Sequence, residues 1–188
     1  AMATPILPQL TLHVHDKQTD RQHALFGFAM RATIILFQPA TMGLIMLREP
    51  LVALLFERLN WTAEDTGGAA WAILFYSLGL VPMAAMQLVV PLYYARLNLR
   101  EPLKASIAAI LLNIALNALF MHTPLRQGGL ALATSLSVLA NLLLLLLWLE
   151  GGFGELRKWR LGATAIRCLA ASAVMGLVIF CLRLAVES

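Results

Sequence analysis

Charge is scarce in this chain. Its 188 residues include fourteen Lys and Arg and ten Asp and Glu, 13% in all, where a soluble domain carries about a quarter. So few charges cannot coat a water-facing surface of this size, which excludes an ordinary soluble enzyme. The net charge of +4 is spread in short clusters between apolar runs. It forms no basic face or helix of the kind a nucleic-acid binder needs. Cysteine is nearly missing too. Cys168 and Cys181 share one apolar segment and would stand about 20 Å apart along a helix, too far for a bridge within it. They read as packing residues. No phosphate-binding GxxxxGK[ST] loop occurs, so transport, if any, draws on an ion gradient, the membrane potential or another subunit. His13, His15, His23 and His122 lie outside the long apolar runs. With no acid in those runs to pair with, they suggest neither a catalytic constellation nor a metal site, and no cofactor is expected.

What the chain has instead is apolar length: 60% of its residues are hydrophobic and its mean hydropathy is +0.78. Five long runs cover 24–47, 67–95, 103–121, 128–149 and 161–182. About twenty apolar residues in a helix cross the hydrocarbon layer, and five such runs cannot all form the core of one small soluble domain. Strands of a membrane barrel would alternate over about ten residues instead. The expected fold is therefore all-α, a polytopic transmembrane bundle of about five spans. The second run exceeds the thickness of the layer, so tilt or a bend is expected, with Pro82 and Pro91 as places for it. Leu51 to Phe56 is too short to cross and reads as an interfacial or inter-helix piece. Tyr93, Tyr94, Trp61 and Trp159 fit an interfacial aromatic belt.

Placement of Lys and Arg sets the orientation. With the N-terminus inside, the inner segments hold Lys17, Arg21, Arg96, Arg100, Lys104, Arg157, Lys158 and Arg160, and the outer ones only Arg48, Arg58, Arg126 and Arg183. This split puts the N-terminus in the cytoplasm and the C-terminus outside. The odd number of spans, and an opening stretch 1–12 that reads like the tail of an earlier element, suggest a piece of a longer transporter.

Polar residues within the runs are the candidate site. Arg31 and Gln38 are seven apart on one face of the first span. They can line a cavity that meets an anionic headgroup, or Arg31 can snorkel to the inner interface. Gln87, between two prolines, is expected to face the bundle interior. Asn113 and Asn117 are four apart on one face of the third span, and Thr134 lies about two turns into the fourth, an antiparallel neighbour with a small-residue face from Gly128 to Ser135. Two readings stand for this cluster: interhelical hydrogen bonding, worth roughly 0.6 kcal/mol per contact, or a site for a monovalent cation built from amide and hydroxyl oxygens. No carboxylate lies on these two segments within the membrane, which argues against a divalent ion. Asn141, further along, is assigned to plain hydrogen bonding.

Three stretches resemble one family: 47–58 (LREPLVALLFER), 93–102 (YYARLNLREP) and 129–136 (GLALATSL), with LNIALN at 112–117 and LPQL at 7–10 in fitting positions. In this order they are similar to the MurJ/MviN lipid II flippases of the multidrug and oligosaccharidyl-lipid exporter superfamily. The resemblance implies a transporter that lifts a lipid-linked peptidoglycan precursor across the bacterial inner membrane by alternating access. It implies that this chain corresponds to helices nine to thirteen of fourteen. Residues 1–23 would then be a polar segment after a missing helix, 24–149 four spans of the C-lobe, and 150–188 a linker plus a peripheral groove helix. The implied partners are the lipid precursor, membrane lipids and the missing N-terminal lobe and final helix; a monovalent cation joins them only on the second reading of the asparagine cluster. Where the family often has Gly-Asp-Thr-Arg-Thr-Pro, this chain has Leu97-Asn98-Leu99-Arg100-Glu101-Pro102, so a turn glycine is lost and an acid becomes an amide. The basic cavity residues best known in the family lie mainly in the parts this chain does not include. Two other functions are compatible with the residues: a non-transporting membrane scaffold or partner subunit, and another polysaccharide-lipid or drug exporter of the superfamily.

Overall fold

The computed structural model describes residues 19–56, 63–123, 127–149 and 161–187. His13, His15, Trp61, Thr62, Trp159 and the linker 150–160 lie outside them. The described residues form helices throughout: α1 (Thr19–Met46), α2 (Arg48–Phe56), α3 (Ala63–Leu78), α4 (Leu80–Ala95), α5 (Arg100–Met121), α6 (Gln127–Trp148) and α7 (Leu161–Glu187). Four stretches, 24–46, 100–121, 128–148 and 161–181, are long and apolar enough to cross a membrane, and α3 with α4, bent by 41°, is the candidate for a fifth span. The chain is thus an all-α polytopic membrane bundle. Lipid as solvent explains the large side chains left outside, such as Leu54, Leu111, Ile114 and Ile166, which would be a liability in water.

Neighbouring positions give the directions of the helices. Phe75 sits against Gly128 and Tyr93 against Leu145, so the α3–α4 span runs parallel to α6. Met42 meets Gly176, while Ile45 and Met46 share a cavity with Ile179 and Phe180, so α1 and α7 are parallel as well. One buried cluster joins Phe26, Leu92, Tyr93, Ala105, Leu145 and Leu149, with Leu161 packed against it. These residues come from the start of the first, third and fifth spans and the end of the second and fourth. The core therefore sits at the single end of the bundle where a chain of alternating direction brings all five spans together.

Bending of the second span occurs at Gly79, in the turn before Pro82, one of the two prolines named from the sequence, and not at Pro91. Pro82 lacks the N–H that would bond the Leu78 carbonyl, and the Gly79 N–H turns back to the Tyr76 oxygen at 3.0 Å. The Phe75 carbonyl thereby loses its usual donor, and the Ser135 hydroxyl of α6 supplies one at 2.6 Å. Pro91 lies inside α4 without breaking it. The small-residue face of α6 packs here, against α3: a Cβ on Gly128 would lie 2.9 Å from the Phe75 ring, and one on Gly79 would lie 2.7 Å from Ser135 Oγ.

Tyr93 does not belong to an interfacial belt. It is 2% exposed, and its hydroxyl donates to the Leu145 carbonyl at 2.6 Å; Tyr94, next to it, is exposed as expected. In hydrocarbon a phenol needs a partner, and this one ties α4 to α6. Tyr93→Phe should lower stability in detergent by about 1 kcal/mol, the net value of one such bond, measured by thermal unfolding. At the start of the second span, the short α2 is held to α3 by Arg48, whose guanidinium lies 5.6 Å from the centre of the Trp71 ring.

At the other end of the second span Leu97 stands where the chain turns left-handed. Leu97 takes φ of +57°, and the N–H of Asn98 reaches the Tyr93 carbonyl at 3.1 Å while that of Leu97 reaches Tyr94 at 3.0 Å. This is a left-handed helix stop that glycine fills without a steric penalty. A leucine there costs roughly 1 kcal/mol, and its side chain is 86% exposed, so it gains little packing in return. Leu97→Gly should therefore raise stability by about 1 kcal/mol, read as a higher midpoint in the same assay.

Candidate functional site

The span pair α5–α6 carries a cluster of polar groups at membrane depth. Two asparagines one helical turn apart meet on α5, and the Asn117 Nδ2 donates to Asn113 Oδ1 at 2.9 Å. Across from them on α6, Thr134 Oγ donates to the Leu130 carbonyl at 3.0 Å and Ser137 Oγ to the Ala133 carbonyl at 2.8 Å. Between the two helices lies a cavity of about 270 Å³, lined by Ser106, Asn113, Thr134, Ser137 and Asn141 among apolar neighbours.

Where the hydrogens go decides what this cavity can hold. The hydroxyl protons of Thr134 and Ser137 are used on carbonyls of their own helix, so their oxygens offer lone pairs only. Asn117 Oδ1 and Asn141 Oδ1 are sealed from solvent and accept no hydrogen bond. An amide oxygen left so in an apolar setting costs several kcal/mol (order of magnitude) unless a donor or a cation reaches it. The surplus is one of acceptors, which suits a cation and repels an anion. Among the described residues no group of three His, Cys, Asp or Glu gathers closely enough to hold a metal ion, so any such site would be one of neutral oxygens.

The residues singled out from the sequence fall in two places. Asn113 and Thr134 line the cavity and Asn117 is bonded to Asn113, so this cluster does come together. Arg31 and Gln38 are half-buried on α1, and among the described residues α1 packs on α2, α3, α4 and α7 but not on α5 or α6. Gln87 is exposed on α4; the expectation that it faces the interior of the bundle does not hold for the described residues, because the buried face of α4 is taken by Ala84, Ala85, Leu88 and Leu92. Sequence reasoning missed Ser106 and Ser137 and undervalued Asn141. Their signal is the spacing: Ser106 precedes Asn113 by seven positions and Asn141 follows Thr134 by seven, two helical turns in each case, on facing antiparallel helices.

Comparison with known proteins decides the family. The family model described as lipid II flippase MurJ matches residues 1–187. The chain belongs to the MurJ family. It is 35% identical over 160 residues to a probable lipid II flippase MurJ of Vibrio cholerae, covering 84% of this chain and 30% of that protein. It is 29% identical over 183 residues to a probable lipid II flippase MurJ of Rhizobium meliloti, covering 96% of this chain and 34% of the relative. Among solved structures, a lipid II flippase MurJ in an inward closed conformation superposes with a TM-score of 0.72 at 21% identity, over 97% of this chain and 41% of that one; the helices of this MurJ-family chain share its fold. The chain spans about a third of the length of the curated relatives it matches.

Proposed function

We propose that this chain is the C-terminal portion of a transporter that flips the lipid-linked peptidoglycan precursor, lipid II, across the bacterial inner membrane by alternating access. The observation that carries this reading is the family match along residues 1–187. In it the five spans are helices nine to thirteen of fourteen: residues 24–149 supply four spans of the C-lobe, and 150–188 a linker and a groove helix. The N-terminus of the chain is cytoplasmic and its C-terminus periplasmic, in keeping with the positive-inside count and with the alternation of direction in the bundle.

Within that transporter, Asn113, Asn117 and Thr134 hold a monovalent cation whose gradient drives the cycle. The acceptor surplus of the α5–α6 cavity supports the choice of a cation, and the lack of a carboxylate among the residues that line it supports a single charge. Arg31 and Gln38 face the headgroup path from the first span, and Gln87 meets the lobe that precedes this chain. Reaction chemistry is not needed, because flipping breaks no covalent bond. The test is transport by the complete protein in liposomes, scored as lipid II exposed at the outer face. Exposure above that of empty liposomes is expected. Export of other polysaccharide lipids or drugs with no lipid II exposure would assign the chain to a different branch of the superfamily, and no transport of any of them would favour a scaffold.

A further inference from the structure

The cavity is longer than the asparagine pair needs. Its far end, two turns from Asn113 and Thr134 or about 10 Å along the helices, is built by Ser106 on α5 and by Ser137 and Asn141 on α6. There Asn141 Oδ1 is sealed and without a donor, Ser137 has spent its proton on Ala133, and the next residues toward the core, Ala105, Leu142 and Leu145, are buried. One continuous space thus runs from Asn113 and Thr134 to Ser106 and Asn141, with the orphaned Asn141 acceptor at its far end. We infer that Asn141, with Ser106 and Ser137, forms a second station for the same monovalent cation, distinct from the one at Asn113, Asn117 and Thr134 and lying nearer the packed end of the bundle.

The inference rests on the cation reading above and adds a step to it. A cavity of about 270 Å³ holds several waters at roughly 30 Å³ each, so an ion can move between the stations while keeping part of its hydration shell. Neither station carries a formal charge, so binding at each is weak enough to permit exchange, as conduction through a row of sites requires. The closed core below the second station makes it the last stop before that end of the bundle opens.

The experiment uses the complete protein, freed of its native cysteines, with Ala109→Cys, which lines the cavity without supplying an oxygen to either station, as reporter in detergent. Its modification by the cationic reagent 2-aminoethyl methanethiosulfonate should be at least tenfold faster than by the anionic 2-sulfonatoethyl reagent. It should also be at least tenfold faster than modification of Leu111→Cys, an exposed position on α5 that does not line the cavity. Replacing choline chloride with sodium chloride at constant ionic strength should slow it at least fivefold. That protection should survive in Asn113→Ala/Asn117→Ala, vanish in Asn141→Leu, and appear at lower sodium in Asn141→Asp, which also reports that position 141 tolerates change. Protection that disappears with the Asn113/Asn117 pair overturns the second station and leaves the first standing. No sodium effect in any background overturns both, and modification as slow as at Leu111→Cys overturns the second station by showing that the space is filled by another part of the protein.

Discussion

Gly79→Val should destabilise the bundle by about 3 kcal/mol, at the upper end of what overpacking costs. Backbone strain is not the cause, because Gly79 has φ of −81° and ψ of −8°, a conformation open to any residue. The cause is space. A Cβ at this position would lie 2.7 Å from Ser135 Oγ and 3.2 Å from Ser135 Cα, and the second of these is backbone that cannot rotate away. The same close approach lets Ser135 donate to the freed Phe75 carbonyl, so a side chain at 79 both collides with α6 and breaks the bond that caps the bend. A double-mutant cycle separates the two effects. Gly79→Ala alone should cost about 2 kcal/mol and Ser135→Ala alone about 1. The pair should cost less than the two together by about 1 kcal/mol, because the second change removes the oxygen that the first one strikes. Strict additivity in thermal or denaturant unfolding would mean that α3 and α6 do not approach here as described.

That bend also shows where sequence reading stops. The length of the run at 67–95 announces that something must give, and proline chemistry points to Pro82. The place of the break, however, depends on which helix lies alongside, and only the packed bundle shows α6 bringing Ser135 to Gly79. The spans themselves were legible because apolar length is a one-dimensional property. The four-residue spacing of Asn113 and Asn117 was legible for the same reason, since it holds on any helix. Asn141 was not: whether an amide is satisfied or orphaned depends on what the facing helix offers, and Ser106, which lines the same cavity, lies 35 positions earlier. Tyr93 and Tyr94 make the point within one dipeptide. Both suit an interface by type, and a rotation of about 100° between neighbours on a helix sends one into the core and leaves the other outside. Gln87 follows the same rule: within the described residues the buried face of α4 is taken by small and aliphatic neighbours, which sequence type alone does not reveal. Leu97 was legible only in part. The resemblance marked a missing glycine, and the positive φ gives that loss its physical meaning.

The largest functional effect should come from Asn113→Ala/Asn117→Ala in the complete transporter. Lipid II exposure at the outer face should fall at least tenfold, a loss of about 1.4 kcal/mol or more in the driving step, and its dependence on the cation gradient should disappear. Stability should move the other way or hardly at all. Removing both amides deletes the bond between them together with the orphaned Asn117 oxygen, and replacing both partners of a polar pair by apolar groups is near neutral when neither leaves a widow. This opposition separates the two readings of the pair. If the asparagines only glue helices together, the double variant should lose roughly 0.6 kcal/mol of stability and keep transport. If they hold the ion, stability stays and transport goes. The single variant Asn113→Ala should be worse for folding than the double, because it strips Asn117 Nδ2 of its acceptor while leaving the whole Asn117 amide buried without a partner. Measured together, unfolding midpoints and flipping rates of the two single variants and the double therefore decide what the α5–α6 cavity is for, and transport retained in the double variant would remove the ion from the mechanism.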